Sequence, residues 1–185
     1  MQQNCMSEYG QTATRSCRTM PEPDKEFPMA HSFQLLGINH EQFEPLFLLS
    51  DEQLKEHGAE RRIATASPGY PCRISLEDAS VGEELLLLPY LHQPAASPYR
   101  ASGPIFVRRG AKQRRLGVGE VPSYVSSRLM SVRAYDPAHA MVAASVCEGV
   151  RAAQELEKYF SNDQVEYIHL HNAKQGCFSC QVIRA

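Results

Sequence analysis

From Tyr167 to Val182 apolar and polar side chains alternate with the two-residue period of a β-strand, with a single interruption. Ile168 and Leu170 alternate with Tyr167, His169 and His171. After Asn172-Ala173-Lys174-Gln175-Gly176, the residues Phe178, Cys180 and Val182 alternate with Cys177, Ser179 and Gln181. This pattern predicts a hairpin. A slip of one residue would send every side chain to the wrong face, so the apolar positions set the register. They place Leu170 opposite Phe178 and Ile168 opposite Cys180, with residues 172–176 as the loop and Gly176 free to take a positive φ.

The same reading predicts strands over Ser32–Ile38, Arg62–Ala66, Cys72–Ser75, Ile105–Val107, Ser127–Tyr135 and Met141–Cys147. The run Leu85-Leu86-Leu87-Leu88 reads as a central strand covered on both faces. Helical spacing appears three times. Phe43, Leu46 and Phe47 mark a first piece over Glu41–Leu49, and Ser50-Asp51-Glu52-Gln53 has the capping-box form for a second that ends near Gly58. Val150, Ala153, Leu156 and Phe160 form the stripe of a third, Val150–Phe160, with Arg151 and Glu155 spaced to pair on its outer side. The expected architecture over residues 30–185 is a single α+β domain. It is a mostly antiparallel sheet with a C-terminal helix and two short N-terminal helices packed on it. Residues 1–29 carry no strand or helix period and are expected to be a disordered leader, with Met29 as an alternative start.

Composition narrows the classes of function. The chain has 185 residues, 43% hydrophobic and 22% charged, with a formal net charge of −2. That is the profile of an ordinary globular domain, and no apolar run approaches the roughly 20 residues of a membrane span. Neither a membrane nor nucleic acid is expected as a partner, and the basic cluster Arg108, Arg109, Lys112, Arg114 and Arg115 reads as a solvated loop. A cytoplasmic location is expected, with the six cysteines as free thiols.

Candidate chemistry concentrates in the terminal hairpin. In the predicted register His169, His171 and Cys177 share one face while Cys180 turns inward, which splits the apparent Cys-x-x-Cys across the sheet. Histidines two residues apart on a strand have Cβ atoms roughly 7 Å apart and can converge on one zinc ion. With the Cys177 thiolate they make three protein ligands and leave an open fourth position, the arrangement of a catalytic zinc. The same groups also suit metal-free chemistry, with Cys177 as nucleophile and His169 as base, or a purely structural role.

Two further segments qualify. Cys72 emerges from the turn Ser67-Pro68-Gly69-Tyr70-Pro71 at a point from which a nucleophile reaches an active site. Pro89–Pro104, with four prolines and no period, reads as an ordered binding loop carrying His92, Tyr99, Arg100 and Ser102. Arg100 would hold a carboxylate or phosphate through its planar fork. Two hypotheses follow. One is a small enzyme or ligand-binding protein in which this loop meets the histidine face around a small anionic ligand. The other is a non-catalytic module with a structural hairpin, which binds partners through Arg108–Arg115 or the N-terminal tail.

Several segments carry a family resemblance: Gly69-Tyr70-Pro71-Cys72-Arg73, Gly82 to Tyr90, Ser97 to Val107 and His169 to Cys180. Through them the chain from about Met29 onward resembles a bacterial domain-of-unknown-function family, number 1203. The resemblance implies no activity and no catalytic residue.

Overall fold

Ten strands build two five-stranded sheets in a computed structural model that describes residues 32–185. The leader and Met29 lie outside the described residues. The strands are β1 Phe33–Leu36, β2 Glu60–Ile63, β3 Pro71–Cys72, β4 Glu77–Asp78, β5 Glu84–Gln93, β6 Ala101–Arg108, β7 Leu129–Tyr135, β8 Met141–Glu148, β9 Tyr167–Asn172 and β10 Phe178–Arg184. The α-helices are α1 Asp51–Glu56, α2 Ser123–Ser126 and α3 Ala152–Phe160. The first sheet runs β1-β10-β9-β7-β8 and is antiparallel throughout. The second runs β2-β5-β6-β3-β4 and is antiparallel except for the β3–β6 contact. The mixed α+β class expected from the pattern is thus observed, but with two sheets in place of one.

The second sheet changes what the first must bury. On one face of the first sheet Val132, Leu170 and Cys180 pack with Leu156 and Phe160 of α3. Leu170 lies opposite Val132 on one side and Cys180 on the other, so these side chains share that face. The opposite face carries Phe178, which joins Leu86, Leu88, Ile105 and Val107 of the second sheet in a separate core. Every residue of β9 is therefore buried.

This two-sided burial overturns the predicted hairpin register. Phe178 pairs with His171, Cys180 with Leu170 and Val182 with Ile168, with a bulge between Phe178 and Cys180. The loop closes between Asn172 and Cys177, where the Asn172 N–H donates to the Cys177 carbonyl at 2.9 Å. A simple alternation would have put Phe178, Cys180 and Val182 on one face. The extra residue at the bulge sends Phe178 to the inter-sheet core and keeps Cys180 and Val182 under the helices. Gly176 takes the positive φ expected of it, at 76°.

The early helices form as read, in shortened form: a 3₁₀ turn over Glu44–Leu48, then α1 with its capping box at Ser50 and Gln53. The C-terminal helix differs at its start. Gly149–Arg151 is a 3₁₀ turn, so Val150 leaves the apolar stripe and stands 76% exposed while Ala152 takes its place. Glu155 accepts from Ser145 and pairs with Lys158 instead of Arg151.

Pro89–Pro104 is also not a long loop. Strand β5 runs through Pro89 to Gln93 and β6 begins at Ala101, with Pro89 opposite Pro104. Proline cannot donate to a ladder and fits only where its nitrogen faces an unpaired edge. Here β2 stops pairing at Leu87 and β3 touches β6 only at Phe106, so both outer edges are unpaired at the prolines. No helix among the described residues is long and apolar enough to cross a membrane.

Candidate metal centre

Strand β5 presents Leu86, Leu88, Tyr90 and His92 on alternate positions toward the first sheet. Leu86 and Leu88 enter the inter-sheet core, Tyr90 meets the Phe178 ring and His92 lies parallel to it, centroids 5.2 Å apart. Strand β9 presents His169 and His171 from the other side, each edge-on to the same Phe178 ring. The three imidazoles converge, with one nitrogen of each lying within 4.8 Å of the others. They are 9%, 4% and 0% exposed for His92, His169 and His171.

The protonation pattern suits a cation. His171 Nδ1 lies 3.0 Å from the Gly176 carbonyl, which can only accept, so Nδ1 carries the proton and Nε2 holds a lone pair. That Nε2 is buried and has no hydrogen-bond partner among the described residues, and the same holds for His92 Nδ1 and His169 Nδ1. Burial, reinforced by His171, His92 and Arg133, pulls His169 down to about 3. Burial also pulls His171 down to about 4, against the opposing pull of the Gly176 carbonyl. His92 is lowered by burial first and by Arg133 second. All three rings are neutral at pH 7, the form in which imidazole ligates metal.

A cleft of about 660 Å³ opens over His92 and His169 and is bordered by Gln93, His139 and Tyr167. Gln93 donates to the Tyr167 hydroxyl at 2.7 Å, and that hydroxyl lies 2.9 Å from Nδ1 of the exposed His139. Arg133 is the cross-strand neighbour of His169 and shares its face. Behind His169 the Tyr135 ring lies 5.1 Å from the imidazole and 6.2 Å from the Tyr99 ring, centroid to centroid.

The residues singled out from sequence are distributed as follows. His169 and His171 come together, and the third member of the group is His92, not Cys177. The bulged register carries Cys177 to a different cleft, alongside Arg73 and Asn172. Cys72 is fully buried, its Sγ accepting from the Arg108 N–H at 3.3 Å. Arg100 is exposed and donates to the Pro94 carbonyl, while Ser102 lines a shallow groove with Gly58 and Pro104. Of the predicted loop, His92 joins the group while Tyr99 meets Tyr135 outside the cleft lining, and Arg133 is a cation beside the histidines. The period-2 series Leu86, Leu88, Tyr90, His92 was the signal for His92, and Pro89 masked it. Arg108, Arg109, Lys112 and Arg114 of the basic cluster are paired with Glu83, Glu84, Glu44 and Glu77.

A family model described as a protein of unknown function, DUF1203, matches residues 69–184, more than half of the chain and including all three histidines. No curated protein and no solved structure matches the chain.

Proposed function

We propose that this chain, which belongs to the DUF1203 family, is a small metal-dependent enzyme. In this reading His92, His169 and His171 bind a divalent cation of the zinc type, and a small anionic substrate enters the cleft beside them. One observation carries the proposal: three buried imidazoles from two sheets converge with an unpartnered nitrogen on each. Leaving a buried polar atom unpaired costs about 1–3 kcal/mol, and a shared cation would remove that cost three times over. Three histidines with an open position are a ligand set of catalytic zinc.

A zinc-type ion held there would supply a water that ionises near neutral pH and would polarise a substrate oxygen. The chain's own groups have separate tasks. The Gly176 carbonyl orients His171 and sets its tautomer. Tyr167, accepting from Gln93, is free to donate its hydroxyl proton to His139, which opens a path from the cleft to solvent. Arg133 supplies positive charge beside His169 and favours an anionic substrate over a cationic one.

A structural reading has one observation in its favour. The imidazoles pack on Phe178 as an aromatic cluster would, with His92 and Phe178 only 4° from parallel. Zinc titration of chelator-treated protein separates the two. The metal reading expects one zinc per chain with a dissociation constant below about 1 μM. His92→Ala, His169→Ala and His171→Ala should each weaken binding by about 100-fold or more, and Cys177→Ser should leave it unchanged. Wild-type protein that takes up no zinc at micromolar concentration would leave the structural reading.

A further inference from the structure

The end of the terminal hairpin lines a second cleft, of about 500 Å³, which shares no lining residue with the histidine cleft. Its apolar floor includes Leu87, Pro104 and Phe106, and its polar wall includes Arg73, Asn172 and Cys177. Arg73 is 2% exposed. Its Nε donates to the Phe178 carbonyl at 2.9 Å and its Nη1 to the Pro71 carbonyl. These bonds fix the guanidinium plane, but they do not neutralise it. Among the described residues Arg73 joins no ion pair. The neighbouring Arg128 is different, since it holds Asp78 through both carboxylate oxygens at 2.6 and 2.8 Å. Among the described residues no carboxylate lines the cleft.

A buried, unneutralised charge is expensive, and the usual remedy is a counter-ion. Arginine's fork matches carboxylate and phosphate oxygens, and apolar walls accept an uncharged body. We infer that this cleft binds a small organic anion, a carboxylate or phosphate on an apolar body, with the anionic group on Arg73 and the body on Leu87, Pro104 and Phe106. The site is independent of the metal proposal.

Cys177 supplies the readout, because its partly exposed thiol lies in the cleft wall while Cys72 and Cys180 are buried. The rate of iodoacetamide alkylation at each cysteine would be followed by peptide mass spectrometry, with benzoate, phenyl phosphate or the neutral benzamide present. Cys147, also partly exposed, is the internal reference. At ~10 mM benzoate or phenyl phosphate, Cys177 should react about tenfold more slowly if the dissociation constant is near 1 mM, with Cys147 unaffected. Benzamide should protect little. Whichever anion protects better identifies the headgroup. Arg73→Gln should abolish the protection, and His169→Ala should keep it. The inference is overturned if neither anion protects, or if benzamide protects as well as benzoate. The wild-type comparison stands even if Arg73→Gln fails to fold.

Discussion

His169 and His171 are held neutral by the environment that makes them candidate ligands, and this has a measurable cost in acid. Their folded values, about 3 and about 4, lie below the ordinary 6.5. Between those limits the unfolded chain binds more protons than the folded one, so stability rises with pH there. The contribution is complete above pH 6.5 and is lost as pH falls toward 4, by up to about 1.4 kcal/mol per pH unit for each histidine. Urea unfolding of the metal-free protein at pH 7.5 and pH 5 should show a clear fall in midpoint at the lower pH. Equal midpoints would mean that the rings are hydrated in solution. Single residues also explain why Cys177 lies apart from the histidines. Simple alternation sets Cys177 opposite His171, but one unpaired residue between Phe178 and Cys180 puts Phe178 there and turns Cys177 away from the histidine face.

At the scale of elements, the signals that succeeded were those whose cause is local. Ser50 and Gln53 form the reciprocal cap anticipated from their spacing. Ser50→Ala should cost about 1 kcal/mol in a denaturant titration. The start of the C-terminal helix departs from the local pattern because its determinant is not local. Gly149 donates to the Arg128 carbonyl at 2.8 Å, and a Cβ there would collide with the backbone oxygens of Val125 and Arg128. That close approach of α2 and its following turn holds Gly149–Arg151 as a 3₁₀ turn and leaves Val150 outside the stripe. Gly149→Ala should therefore destabilise by about 3 kcal/mol, far beyond the propensity gain of alanine in a helix. A stabilised Gly149→Ala protein would show that the approach relaxes freely.

For the whole molecule, the telling feature is that the three histidines come from different sheets, His92 from β5 and the other two from β9. A cation bound to all three would tie the sheets together and bind the folded chain alone. Zinc at about 1,000 times its dissociation constant should then raise unfolding stability by about 4 kcal/mol. The same zinc should leave His92→Ala almost unaffected, although two histidines remain on β9. A thermal shift of equal size in that variant would place the metal elsewhere.

By itself the sequence determined the types of most elements, the cap at Ser50, the inward turn of Cys180 and Val182, and the positive φ of Gly176. It also picked out His169 and His171 as a pair, since residues two apart on a strand must share a face. Tertiary structure alone decided that a second sheet covers that face, that a bulge follows from it, and that His92 completes the group in place of Cys177. The reason is physical. Alternation reports which side of a strand is apolar, but it does not encode which distant segment will bury that side. Phe178, Cys180 and Val182 fit one apolar face or two equally well, and only the packing of β5 against β9 selects between them.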